Sequence, residues 1–160
     1  MQVFHYSSPI GTLRLSGNDS GIESILYVNE EAEETQVPHC LQACIQQLDE
    51  YFQGKRNGFD LRLTPKGTEF QLAIWKLLRE IPYGETISYL ELSKRWGDTK
   101  AIRAVGHANG QNKLNIVIPC HRVIGSNQKL IGYGGGLWRK EWLLKHEASQ
   151  LMPGLFRANA

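Results

Sequence analysis

The residues best suited to chemistry stand in a row: Cys120, His121 and Arg122 offer a thiol, an imidazole and a guanidinium in successive positions. Ahead of them, Ile116, Val117 and Ile118 form an apolar run that reads as a short buried strand. Pro119 ends it, because proline has no N–H for a ladder and biases the preceding residue to extended geometry. A strand that delivers a cysteine to a sharp turn can hold a nucleophile rigidly. A free thiol, with a pKa of about 8.5, is only a few per cent thiolate at neutral pH, so Cys120 needs a base or a positive charge nearby. His121 and Arg122 are the right types, although neighbours in an extended chain point to opposite faces. A carboxylate would orient the imidazole, and Glu85, Glu141 and Glu147 all qualify. The plain alternative is an inert buried thiol.

Such a group needs elements to position it. Residues 2–7, 11–16 and 22–28 read as strands separated by the turn-forming stretches 7–11 and 17–21. An acidic loop, Glu30 to Glu34, reads as a solvated connection. From Pro38 to Gln53 the positions Leu41, Cys44, Ile45, Leu48, Tyr51 and Phe52 recur at helical spacing, and Phe59 to Leu63 reads as another short strand. Thr68 and Gln71 fit a capping box at the head of a helix whose stripe is Phe70, Ile74, Leu77, Leu78 and Ile81. Ser88 and Glu91 fit a second one, for a helix that ends at Gly97. Asp98 can cap a third helix, from Thr99 to about Asn109.

Two short helices across a glycine turn match helix-turn-helix geometry. On the third helix Ile102, Val105 and Ala108 are expected to face inward, while Thr99, Arg103, Gly106, His107 and Gly110 share the other side. Small residues around one long cation let a backbone approach a phosphate or a base step. Val123-Ile124 and residues 129–131 read as a hairpin around 125–128. A glycine-rich run, Gly132 to Gly136, and a last helix, Leu137 to Glu147, follow. The tail from Ser149 onward, with Leu151, Leu155 and Phe156, either docks or frays.

At 160 residues the chain has room for one domain or two small ones. Hydrophobic content of 41% and charged content of 21% describe a globular protein, and no apolar run approaches the ~20 residues of a membrane helix. Cys40, Cys44 and Cys120 make neither a disulfide framework nor a C-x-x-C pair, so a reduced compartment is expected. His39, Cys40 and Cys44 lack a fourth ligand at compatible spacing and read as core residues, not a zinc site. The net charge of +2 hides a division: residues 1–60 carry three basic and nine acidic residues, and residues 61–160 fifteen basic and seven acidic. An acidic first part and a basic second part suit a polyanionic partner.

The segment Ile118-Pro119-Cys120-His121-Arg122-Val123 resembles the active-site signature of the O6-alkylguanine-DNA alkyltransferases, the methylated-DNA–protein-cysteine methyltransferases. Four other blocks agree in order and spacing: residues 67–71, residues 81–89, Arg103-Ala104-Val105-Gly106, and Gly135-Gly136-Leu137 followed by residues 140–147. The resemblance is dense from about 66 to 147 and weak before residue 60. It implies an α+β fold, with a small mixed α/β domain (RNase H-like, a ferredoxin-like roll) over 1–64. A helical domain with a winged-helix-like helix-turn-helix then covers 65–148, and a tail covers 149–160.

By the same resemblance, Cys120 is the alkyl acceptor, His121 the base acting through a water, and Glu147 its orienting carboxylate. Tyr89 is the hydroxyl donor to the purine ring, and Asn112 the hinge residue beside the active-site turn. Arg103 enters the duplex in place of the extruded nucleotide, with Thr99, Ala104, Gly106, Gly110 and Arg122 against the DNA. Pro119, Val123, Tyr133, Gly134 and Gly135 form the base pocket, and glycines there hint at room for groups larger than methyl. The implied partner is double-stranded DNA approached from the minor groove, carrying alkylated guanine or thymine. A monomer without cofactor or metal is expected, in the cytoplasm or, in a eukaryote, the nucleus. A helix-turn-helix regulator, a Cys-His hydrolase and a lesion sensor without chemistry are the rivals.

Overall fold

A computed structural model of the chain describes residues 1–32, 34–127 and 129–151. Three strands, β1 (Gln2–Ser8), β2 (Gly11–Asn18) and β3 (Gly21–Val28), form an antiparallel meander. Its register pairs Phe4 with Leu15 and Tyr6 with Leu13, then Leu13 with Tyr27 and Leu15 with Ile25. Phe4, Tyr6, Leu13, Leu15 and Ile25 are buried, which is the period-2 face that the sequence alternation predicts. A 3₁₀ turn at His39–Leu41 leads into α1 (Gln42–Phe52), where Cys44, Leu48 and Tyr51 supply the buried stripe. Cys44 is a core thiol, pushed up to about 12 by burial. Tyr6 Oη donates to Asp49 Oδ1 at 2.6 Å, joining strand and helix through side chains.

The expected strand at 59–63 reduces to a single parallel bridge, Ile22 with Leu63. The described residues divide into two units by their contacts. One is Met1–Lys66 together with Lys113–Val117; the other is Gly67–Asn112 with the described residues from Ile118 onward. The segment Lys113–Val117 thus leaves the second domain that the sequence reading draws unbroken from 65 to 148. The cause is backbone pairing: Ile25 N donates to Lys113 O at 2.8 Å and Asn115 N to Ile25 O at 3.2 Å, with Asn115 Nδ2 reinforcing at 2.9 Å.

In the second unit, α2 (Glu69–Leu78) starts at a full capping box between Thr68 and Gln71 and buries Ile74, Trp75 and Leu78. A two-residue strand, β4 (Ile87–Ser88), precedes α3 (Tyr89–Trp96), whose N-cap Ser88 accepts from Glu91 N. Gly97, at φ 112°, makes the left-handed exit that a residue with a Cβ resists. A 3₁₀ turn at Thr99–Ala101, capped by Asp98, opens into α4 (Ile102–Gly110). Trp75 Nε1 donates to Ala108 O at 2.8 Å, tying α2 to α4. Val105 and Ala108 are buried as expected, but Ile102 is 36% exposed and Asn109 completes the inward stripe instead. Ile102 opens the helix, and its side chain lines a cavity and not the core.

The run Ile116–Ile118 is buried yet is no strand. It folds as a turn, in which Val117 N donates to Asn115 O and Cys120 N to Ile118 O, both at 2.8 Å. Ile116 takes φ 74°, a strained value for a β-branched residue. Apolar composition reports burial; it does not separate a strand from a buried turn. Past a 3₁₀ turn at Cys120–Arg122, β5 (Val123–Ile124) pairs in parallel with β4. Among the described residues, the hairpin expected around 125–128 is represented by Gly125 N donating to Lys129 O at 2.8 Å. Finally, α5 runs over Leu137–Leu151, taking in Ser149 and Leu151; Leu155 and Phe156 lie outside the described residues.

Candidate active site

Cys120, His121 and Arg122 occupy one 3₁₀ turn and are 5%, 0% and 6% exposed. The turn is braced by side-chain amides. Asn112 Nδ2 donates to Ile118 O at 2.8 Å, and Asn109 Nδ2 reaches Cys120 O at 3.5 Å. Opposite stands α5, where Lys140, Leu143 and Glu147 are buried. Their spacing of three and four residues puts all three on one helical face.

Glu147, wholly buried, is the hub. Its Oε2 lies 2.7 Å from His121 Nε2. Arg122 donates through Nε to Oε1 at 2.8 Å and through Nη2 to Oε2 at 3.1 Å, a bidentate fork. Gly84 N adds a bond to Oε1 at 3.2 Å. Arg122 is itself anchored, with Nη1 donating to Ile81 O at 2.8 Å and the guanidinium 5.6 Å from the Tyr83 ring centroid. Burial alone would raise the Glu147 pKa, but His121 and Arg122 hold it well below the ordinary carboxylate range. Burial lowers the His121 pKa in spite of Glu147, and so favours the neutral ring. With Nε2 facing an ionised carboxylate, the network assigns the proton to Nε2. Nδ1 is then a buried acceptor with no partner among the described residues.

Burial likewise raises the Cys120 pKa, partly offset by hydrogen bonding from Asn112 and by the charge of Lys140. At neutral pH the group is a thiol, and it needs a base. Tyr89 begins α3 and donates through Oη to Ile131 O at 3.0 Å. It lines a cavity of about 440 Å³ with Ile102, Arg103, Gly106, Gly125, Ser126, Ile131 and Gly132. Gly106 lies against the Tyr89 ring: a Cβ there would sit 3.5 Å from its Cδ1.

Residues 69–149 match the family described as 6-O-methylguanine DNA methyltransferase, DNA binding domain, and residues 4–65 match its ribonuclease-like domain. The methylated-DNA–protein-cysteine methyltransferase of Methanosarcina acetivorans is 44% identical over 151 residues, covering 90% of this chain and 96% of that protein. The chain belongs to this family. Its Mycobacterium tuberculosis counterpart is 43% identical over 156 residues, covering 92% of this chain and 94% of the relative. The crystal structure of M. tuberculosis OGT in complex with DNA superposes with a TM-score of 0.85 at 42% identity, covering 94% of each chain.

Within this alkyltransferase fold, Glu147 is the one of the three carboxylate candidates that contacts the imidazole of His121, in the same 3₁₀ turn as Cys120. Glu141 instead pairs with Lys145 at 2.8 Å. Thr99, Arg103, Ala104 and Gly110 are exposed on the helix-turn-helix, with Gly106 half-buried. Arg122, expected against the DNA, is 6% exposed instead, and all three of its guanidinium nitrogens bond inside the protein. The expected pocket residues also divide. Pro119, Val123 and Gly135 are buried, Tyr133 is half-buried and Gly134 is exposed, but the cavity wall is made by Gly125, Ser126, Ile131 and Gly132. Sequence reasoning missed Asn109 and Lys140. For Lys140 a signal existed, since it shares a helical stripe with Leu143 and Glu147.

Proposed function

We propose that the chain reverses DNA alkylation damage by moving the alkyl group of O6-alkylguanine, and of O4-alkylthymine, from a flipped-out base of duplex DNA to Cys120. The observation that carries this reading is the buried Cys120 turn beside an ionised Glu147 paired with a neutral His121, whose outer nitrogen remains an open acceptor. His121 Nδ1 takes the thiol proton through a bridging water. The Sγ lone pair then attacks the alkyl carbon in line, an S–C bond forms, the C–O6 bond breaks, and its electron pair stays on the base. Tyr89, kept protonated by burial and by the Cys120 charge, donates its hydroxyl proton to the ring, and the base leaves neutral. The proton held at His121 restores the tyrosine, so the net change exchanges the thiol proton for the alkyl group. A thioether is no longer a nucleophile, and each molecule reacts once.

Extruding a base costs a few kcal/mol, least where damage has weakened pairing. Arg103, exposed at the cavity rim, fills the vacated stack, while Thr99, Ala104, Gly106 and Gly110 allow the helix to approach the minor groove. Asn112 holds the turn beside the recognition helix through Ile118 O. Binding and transfer belong to the unit of Gly67–Asn112 and the described residues from Ile118 onward, with Met1–Lys66 and Lys113–Val117 as its companion. The protein works as a monomer where chromosomal DNA lies, in the cytoplasm or, in a eukaryote, the nucleus. No helix among the described residues is long and apolar enough to cross a membrane.

The test is mass spectrometry after incubation with a duplex holding one O6-methylguanine. One methyl per protein, on Cys120 and absent from Cys120→Ala, is expected. An unmodified Cys120, or repeated turnover, overturns the reading.

A further inference from the structure

Lys140 takes no part in the reaction outlined above, yet it is 0% exposed. Lysine is almost never fully buried without a counter-charge. Here Nζ donates to three carbonyls: Val123 O at 2.6 Å, Ile131 O at 2.9 Å and Gly132 O at 3.2 Å. These bonds use all three ammonium protons. No acceptor is a carboxylate, and among the described residues no salt bridge reaches it. Burial lowers its pKa to about 8, against an opposing pull from Cys120.

The three carbonyls sit at two informative places. Val123 is the first residue after the Cys120 turn, whereas Ile131 and Gly132 belong to the cavity wall. Ile131 O also accepts from Tyr89 Oη, and the Tyr89 ring centroid lies 5.8 Å from Nζ. One ammonium thus holds the strand leaving the nucleophile, the wall, and the acceptor on which the tyrosine hydroxyl rests. The titratable groups that feel its charge are Cys120 and His121, while Arg122 and Glu147 already pair with each other.

We propose that Lys140 is a positioning residue for alkyl transfer, the built-in counter-charge of the Cys120 thiolate and the tie between the nucleophile's turn and the cavity wall. Its effect on transfer rests on the function proposed above; its effect on the thiol does not. Lys140→Met removes the charge and the donors, and Lys140→Gln keeps donors without charge. With each variant's fold checked by thermal unfolding, the pH profile of Cys120 alkylation by iodoacetamide is measured by mass spectrometry, without DNA.

Both profiles are expected to move to higher pH, and transfer from a methylated duplex at pH 7 to slow by roughly 10- to 100-fold. Profiles that superimpose on the native one in folded variants overturn the proposal. Failure of the native chain to accept a methyl group, with the iodoacetamide result intact, would instead strike the proposed function alone.

Discussion

Replacing Arg122 with methionine separates a buried structural role from a DNA contact. The substitution deletes two charge-assisted bonds to Glu147, at 2.8 and 3.1 Å, and one to Ile81 O at 2.8 Å. Glu147 is left fully buried with its negative charge, facing His121 Nε2 and Gly84 N. Removing one partner of a buried ion pair costs about 3–5 kcal/mol, because the remaining charge is uncompensated. Methionine recovers part of the volume but none of the charge. For a chain of this length that loss corresponds to a fall in Tm of about 6–20 °C. Urea unfolding of the native protein, Arg122→Met, Glu147→Gln and the double variant measures it. In the Glu147→Gln background the arginine should matter less, with a coupling of about 2 kcal/mol. The salt dependence of duplex binding should be unchanged, whereas a lost phosphate contact would lower its log–log slope by about 1. An Arg122→Met variant within about 1 kcal/mol of native stability, with a reduced salt slope, would refute the buried-clamp account and restore the DNA contact.

The pH dependence of stability has a definite sign. His121 is depressed in the folded state, so its contribution is full above its unfolded value of about 6.5 and is lost as pH falls through the folded one. Glu147 is also depressed, so its contribution is full above about 4.3 and is lost at still lower pH. Urea midpoints between pH 7.5 and 3.5 should therefore fall monotonically, and Glu147→Gln should flatten the acid limb; a flat native profile contradicts both assignments. Arg103→Ala should slow transfer from duplex DNA by roughly tenfold or more while leaving reaction with free O6-methylguanine within about threefold. Equal losses on both substrates, in the same single-turnover assay, would remove Arg103 from base extrusion.

Much of this was legible in the chain because it is local. Period-2 alternation places Phe4, Tyr6, Leu13 and Leu15 on one face of the meander, and Thr68 with Gln71 marks the head of α2 by a capping geometry that needs only four residues. Cys120 stands out as a thiol after an apolar run and a proline, while His121 and Glu147 take their roles from the resemblance. What escaped depends on partners far apart in sequence. Ile116–Ile118 reads as a strand because burial and extension share one composition; the pairing that decides between them involves Ile25, about ninety residues earlier. Arg122 reads from its position as a positive charge near the thiol, and only the resemblance sets it against DNA. Its true partners, Ile81 and Glu147, lie 41 and 25 positions away.

Lys140 fails for a deeper reason. A lysine on a helix is exposed by default, and its spacing to Leu143 and Glu147 outweighs that default only if the opposite wall offers acceptors, here the carbonyls of residues 123, 131 and 132. Backbone carbonyls carry no signature in side-chain chemistry. Their positions depend on the turn at 120–122 and on the loop at 129–132, neither of which has a periodic pattern to read. The reacting atoms of this site are therefore written in its side chains. The setting that governs their protonation is written in backbone geometry, which emerges only when α5 closes over the turn.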